Sequence, residues 1–174
     1  MNDARRSIVL IGFMGTGKSE TGWQLAKILG WPFFDTDSMI EKNLDLPISQ
    51  IFPQFGEARF RNEETAVLQS ISVDCPAIIV TGGGAVLRPE NVARMRQLGT
   101  VVWLTANLPT LEHRLADRKD RPLLPMENRG ETIAKLSRGR EAHYQRAAEL
   151  TIDTSGLDPT QVADLILKSL ELSR

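Results

Sequence analysis

Ser7-Ile8-Val9-Leu10-Ile11-Gly12-Phe13-Met14-Gly15-Thr16-Gly17-Lys18-Ser19 is the stretch that decides the fold. Its first part, Ser7 to Gly12, is a short and continuously apolar run, as expected of a strand buried on both faces. From Gly12 to Ser19 the chain satisfies G-x-x-x-x-G-K-[ST] at every specified position. A helical stretch follows, Lys18 to Leu29, with Gly30 as its C′ residue and Pro32 just beyond. Strand, glycine loop and helix in that order build a phosphate cradle. Glycines let backbone N–H groups wrap phosphate oxygens, and the helix N-terminus adds a partial positive charge. Lys18 is expected to reach the β- and γ-phosphates, and the Ser19 hydroxyl to ligate Mg²⁺. Gly15, Thr16, Gly17, Lys18 and Ser19 are thus candidate nucleotide contacts, with Glu20 offering its backbone N–H while its side chain points away.

Outward from this loop the pattern repeats. A short strand is expected near Pro32 to Phe34, followed by Asp35-Thr36-Asp37 and helical segments. Pro76 to Thr81 is a second strongly apolar strand, ended by Gly82-Gly83-Gly84. Pro89 to Leu98 reads as a helix, Thr100 to Leu104 as a third clear strand, and Pro109 opens another helix. Thr151 to Asp153 is a brief strand, and Pro159 to Leu172 a helix with Val162, Leu165, Ile166 and Leu170 on one stripe. Strands alternating with helices at this spacing predict an α/β fold with a parallel sheet. No repeat or linker divides residues 1–174, so one domain is expected. Its irregular polar stretch, Asp117 to Gly130, reads as a mobile lid.

A net charge of −1 over 174 residues excludes the basic footprint of a general nucleic-acid binder. Of 21 basic residues 15 are Arg, a bias that fits an anionic small-molecule ligand because the guanidinium forks onto carboxylates and phosphates. The single Cys75 excludes an intrachain disulfide and a cysteine zinc cluster. The apolar run after the start is too short for a membrane span and lacks a cleavage region, so a cytoplasmic, non-membrane chain is expected.

The carboxylates and arginines outside the loop suggest a second substrate. There is no N-K-x-D sequence for reading guanine, and the strand ending in Thr81 carries no Asp to assist a metal. Asp35 is the best-placed replacement. Asp37 is then either a base for an attacking hydroxyl or merely the cap of the next helix. In Phe55-Gly56-Glu57-Ala58-Arg59-Phe60-Arg61-Asn62-Glu63-Glu64, a helix would set Arg61 beside Glu64 at i, i+3. Such a carboxylate can hold the guanidinium for a bidentate anion contact, although a solvated charged face is the plain alternative. Gly82-Gly83-Gly84 either lets a ligand approach the backbone or is a flexible turn. Arg114, Arg118, Lys119 and Arg121 either serve a closing lid or are surface charges. Arg140 lies four residues before Tyr144 on an expected helix.

Together, GFMGTGKS, DTD at 35–37, FGEARFRNEE, TGGGAV, RPLL at 121–124 and REAHY at 140–144 resemble shikimate kinase, from Ile8 to about Leu170. The resemblance implies a three-layer P-loop kinase fold, nucleoside-monophosphate-kinase-like, with a five-stranded parallel sheet and a mobile lid at about 114–130. It implies MgATP-dependent phosphorylation of the 3-hydroxyl of shikimate, in the chorismate route to aromatic amino acids. By position, Asp37 contacts the substrate hydroxyls as base, Arg61 and Arg140 bind the carboxylate side, and Gly83 offers a backbone N–H. Asp35 supports Mg²⁺ with Ser19, Arg121 reaches the phosphates from the lid, and Arg114 corresponds to the residue that packs on adenine. Two departures stand out: Glu20 where the family usually has Ser or Thr, and Ala142 in place of Pro, which unsettles the local helix start and the aim of Arg140.

Two rival readings remain open at this level. One is a kinase of the same fold for another small molecule, such as gluconate. The other is a non-catalytic nucleotide-binding module, against which the presence of Lys18, Ser19, Asp35, Asp37 and Arg121 argues. A monomer is compatible with the length and charge.

Overall fold

The structure, a computed structural model, describes residues 6–72, 74–117, 123–125 and 127–172. Strands β1 (Ser7–Ile11), β2 (Phe33–Asp35), β3 (Ile78–Val80), β4 (Gly99–Thr105) and β5 (Leu150–Asp153) pair in parallel in the order β2-β3-β1-β4-β5. Helices α1 (Lys18–Leu29), α2 (Thr36–Leu44), α3 (Ile48–Ser70), α4 (Pro89–Leu98), α5 (Leu108–Leu115), α6 (Arg129–Ala147) and α7 (Pro159–Ser169) connect and cover them. Expected and observed elements agree to within a few residues at their ends. None of these helices is long and apolar enough to cross a membrane.

The alternation of side chains along each strand divides the core into two halves. On β1, Val9 and Ile11 face a cluster with Ile79, Val101, Met95, Leu98, Leu111 and Tyr144. Ile8 and Leu10 face the other, with Ile78, Val80, Val102, Leu25, Val162 and Ile166. Burying an aliphatic side chain of this kind contributes about 1.5–3 kcal/mol, so a sheet covered on both faces is the main source of stability. The expected stripe on α7 needs one correction. Leu165 is exposed, and Ala163 and Leu167 join Val162 and Ile166 in the buried face. The helix also stops at Ser169 rather than Leu172.

Register sets the working edge of the sheet. Leu10 of β1 pairs with Val80 of β3, and Asp35 of β2 pairs with the same Val80. The carboxyl ends of these three strands therefore lie level, and the loops after Ile11, Asp35 and Val80 emerge side by side. Ligands of open parallel sheets bind at such an edge.

In α3 the helix is broken at Gly56, which takes φ 80 and ψ 168, and Pro53 precedes the break. Beyond it, Phe60, Arg61, Glu64 and Val67 turn inward, while Arg59 and Glu63 pair on the outer face. The charged stretch is thus both things the sequence allowed. Its outer residues form a solvated face, and its inner ones form a buried pair.

Candidate active site

The loop between β1 and α1 is a phosphate cradle with its donors open. Gly17 stands at the N-cap of α1 in the left-handed region, φ 85, where a side chain would be strained. It offers no side chain to cap the helix, so the first-turn N–H groups remain for an anion. Lys18 Nζ donates to the carbonyls of Gly12 at 2.8 Å and Phe13 at 2.9 Å, which places the ammonium over the loop. Glu20 is exposed in the first turn of the helix.

Asp35 does two jobs. Its Oδ1 caps α2, accepting from the N–H groups of Asp37 at 3.0 Å and Ser38 at 3.2 Å. Its Oδ2 accepts from the Ser19 hydroxyl at 3.1 Å. The capping role left open for Asp37 therefore falls to Asp35, and the Asp37 side chain is left to face the cleft. Ser19 and Asp35 are hard oxygen donors side by side at the mouth of the phosphate loop. No cluster of three metal-binding acidic, His or Cys side chains occurs among the described residues. That sparse donor set fits Mg²⁺, which keeps several waters and takes phosphate oxygens as ligands.

A cleft of about 480 Å³ runs from the phosphate loop past Arg114, Leu157 and Val162. Arg114 is braced, donating to Gly15 O at 3.1 Å, Thr154 Oγ1 at 3.0 Å and Thr154 O at 3.0 Å. The Thr154 hydroxyl in turn donates to Thr16 O at 3.1 Å or Thr105 O at 2.9 Å. Thr154 thus ties the phosphate loop to the loop after β5. It carries no motif, and only its place just beyond a strand end could have marked it.

A smaller recess adjoins the cleft, and Met14, Asp37, Gly82 and Gly83 line both. Its floor is ionic. Arg61, 8% exposed, donates to Glu64 Oε2 at 2.8 Å and to Glu57 Oε1 at 3.2 Å. Glu64 is fully buried, and its Oε1 has no hydrogen-bond partner among the described residues. Burial pushes the Glu64 carboxyl up, and the charges of Arg61, Arg140 and Arg88 offset this only in part. For Arg61 burial pulls the guanidinium down, but Glu64 and Glu57 outweigh it and keep it firmly charged. The glycine turn fits this floor closely. A Cβ at Gly82 would lie 2.6 Å from Asp37 Oδ1 and 2.7 Å from Glu64 Oε1, and one at Gly84 would lie 2.2 Å from Arg61. Here the glycines are required by close approach.

Arg140, 6% exposed, lies over the Phe13 ring at 5.9 Å and lines the recess. Ala142 does not unsettle it. Residues 140–144 sit well inside α6, which runs without a break from Arg129 to Ala147, so no helix start occurs there. Tyr144, one turn on, is the single Tyr of the chain; its spacing from Arg140 is legible in the sequence, but no role for it is. It is 2% exposed and its hydroxyl donates to Gly83 O at 2.5 Å.

The structure thus brings together Lys18, Ser19, Asp35, Asp37, Arg61, Gly83 and Arg140 along one continuous depression, with Gly15, Thr16, Gly17, Glu20 and Arg114 at its nucleotide end. Arg118, Lys119 and Arg121 of the expected lid lie outside the described residues.

Known proteins resemble this chain in sequence and fold. The family model described as shikimate kinase matches residues 14–171. A shikimate kinase of Thermodesulfovibrio yellowstonii is 44% identical over 166 residues, covering 95% of this chain and 95% of that protein. The solved shikimate kinase from Acinetobacter baumannii in complex with shikimate superposes with a TM-score of 0.91 at 34% identity, covering 95% of this chain and 93% of that one. A gluconokinase from Sinorhizobium meliloti reaches a TM-score of 0.60 at 16% identity, covering 98% and 94%, which is a likeness of fold alone.

Proposed function

The chain belongs to the shikimate kinase family, and on that premise we propose that it transfers the γ-phosphoryl group of ATP to the 3-hydroxyl of shikimate, giving shikimate 3-phosphate and ADP. It acts in the cytoplasm as a monomer, in the chorismate route to aromatic amino acids. The observation that carries the reading is the position of Asp37, where a nucleotide cleft meets a recess containing two buried guanidinium groups.

ATP enters with its phosphates on the N–H groups of Gly15 to Glu20 and its adenine end beside Arg114. Shikimate lies in the recess, its carboxylate held by Arg61 and Arg140 and a hydroxyl by the Gly83 N–H. A carboxylate is planar, and guanidinium forks match it in two places at once. Glu64 fixes the Arg61 fork before the substrate arrives, so little ordering remains to be done on binding. The attacking 3-hydroxyl faces Asp37. Its oxygen bonds to the γ-phosphorus, the bond from that phosphorus to the β–γ bridging oxygen breaks, and the hydroxyl proton passes to the Asp37 carboxylate. Little covalent work falls to the protein in such a transfer; placement and charge neutralisation carry it. Lys18 supplies positive charge at the β- and γ-phosphates. Ser19 and Asp35 would hold Mg²⁺, which would neutralise phosphate charge when bound.

A coupled ADP-release assay tests this with MgATP and, in separate runs, shikimate, gluconate, AMP or no acceptor. ADP release only with shikimate, and a product phosphorylated at the 3-hydroxyl, is the expected result. Turnover with gluconate would overturn the acceptor assignment, and ATP binding without turnover on any acceptor would leave a nucleotide-binding module.

A further inference from the structure

The turn Gly82-Gly83-Gly84 presents three carbonyls, and they are held in two different ways. Gly82 O accepts from Ala85 N–H at 3.1 Å and Gly84 O accepts from Leu87 N–H at 3.1 Å, both within the main chain. The carbonyl between them is held from outside the turn, by the hydroxyl of Tyr144, 61 positions away in sequence. Glycine has the widest conformational freedom of any residue, so an outside bond to the Gly83 carbonyl restricts rotation between that carbonyl and the Gly83 N–H, whose own peptide is tied through Gly82 O. On its other side Gly82 N–H donates to Thr36 Oγ1 at 3.3 Å, so both peptides flanking the middle glycine's neighbour are anchored.

Tyr144 is itself well fixed. Its ring is stacked against Trp103 with centroids 5.7 Å apart and planes inclined by 22°. Trp103 lies on β4 opposite Ile11, the residue from which the phosphate loop departs. Arg140 stands one helical turn earlier on α6, and its charge acts on the Tyr144 phenol. A Cβ at Gly83 would be 3.5 Å from Arg140 Nη1 and 3.5 Å from Met14 N, so the middle glycine sits between the arginine and the phosphate loop with room for little more than a hydrogen. A phenyl ring would fill the same core position as the phenol. The hydroxyl is needed only to act on Gly83 and, through that turn, on Arg140.

We propose that Tyr144 is a positioning residue of the acceptor site, its single hydroxyl holding the Gly83 carbonyl and, through that turn, the place at which Arg140 meets Gly83. This rests on the reading that Gly83 and Arg140 contact shikimate. Loss of the hydroxyl then weakens shikimate and spares ATP, because the phosphate loop is held by its own hydrogen bonds.

The test compares Y144F, W103F and R140K with the wild type in steady-state assays and thermal melts. Removing one buried hydrogen bond corresponds to about a tenfold change. Y144F is expected to raise the shikimate KM about tenfold, with the MgATP KM within twofold. Tyr144→4-aminophenylalanine, which keeps a donor at the same place, restores the shikimate KM to within threefold. W103F disturbs the stack but keeps the hydroxyl, so it lowers the melting temperature with the shikimate KM within twofold. A folded Y144F with an unchanged shikimate KM overturns the proposal, as does a 4-aminophenylalanine variant whose shikimate KM stays as high as that of Y144F. Should Y144F fail to fold, 4-methylphenylalanine against 4-aminophenylalanine at position 144 gives the same comparison. R140K separates the layers. An unchanged shikimate KM there sinks the acceptor-site reading itself, whereas a raised KM in R140K beside an unchanged one in Y144F sinks only the role of Tyr144.

Discussion

The two ends of the depression are built from different materials. The nucleotide end is mainly backbone: glycines, open N–H groups at the start of α1, and one lysine resting on loop carbonyls. The acceptor end is side chain: two guanidinium groups less than a tenth exposed, a carboxylate fully buried, and a phenol packed behind them. Backbone amides are fixed by the course of the chain and tolerate change in the side chains around them. Buried ions are fixed only by each other, so removing one leaves its partner uncompensated. The acceptor end is therefore the more fragile and the more selective of the two.

The first way to break this contrast is Glu64→Ala. It strips Arg61 of its buried partner and leaves only Glu57, whose side chain is 52% exposed. Breaking a buried pair from one side costs about 3–5 kcal/mol. At about 2–4 °C per kcal/mol for a chain of this size, the melting temperature falls by roughly 10 °C. A fall under about 2 °C in a calorimetric scan would mean that the buried pair is not what holds the recess.

Arg61→Lys is milder and sharper. The charge stays, the fork is lost, and the shikimate KM rises about 10–100-fold, equivalent to about 1.4–2.7 kcal/mol, with MgATP little affected. Equal weakening of both substrates in kinetic assays would erase the separation between the two ends.

Tyr144 gives a spectroscopic handle, because it is the single Tyr of the chain. Burial, opposed in part by Arg140, pushes its phenol up to about 12 from the usual 10.0. Tyrosinate absorbance is therefore expected to rise with a midpoint near 12. The sign of the stability effect follows. Above about pH 10 the unfolded chain loses the proton that the folded chain keeps, so stability falls as pH rises towards 12, with a slope of at most about 1.4 kcal/mol per pH unit. Y144F lacks this component, and identical pH dependences for Y144F and the wild type between pH 10 and 12 would contradict it.

The smallest effect is expected at the nucleotide end. Glu20 is exposed, and on the proposed reading only its N–H serves the cradle, so Glu20→Ala changes the MgATP KM by less than about twofold. A tenfold change would show that the side chain, and not the backbone, matters there.

The same contrast explains what could be read from the sequence. The cradle is a contiguous stretch, Gly12 to Ser19, whose conformation is written into its glycines and the flanking strand and helix, and it lies where the spacing put it. The acceptor end joins residues 37, 61–64, 82–84 and 140–144, which meet only after the sheet has levelled its strand ends. From the residues alone the Arg61–Glu64 pair could be drawn but not distinguished from a surface face. The resemblance to a family was needed to connect it with Asp37 and Arg140. Thr154 carries no mark in the sequence and Tyr144 only its spacing from Arg140, because each bonds through one hydroxyl to carbonyls distant in sequence, and no local pattern encodes that. The division of labour between Asp35 and Asp37 likewise needed the cap to be seen.

Asp37 is the point where the two ends meet, and Asp37→Asn tests that claim most directly. Calorimetric titration with each substrate should be paired with single-turnover measurement of the same variant. General-base catalysis contributes typically about 10²–10⁴-fold. The account predicts that MgATP and shikimate each bind within about threefold of the wild type while phosphoryl transfer falls by at least about 100-fold. Transfer retained within a few-fold, with both substrates bound, would contradict it.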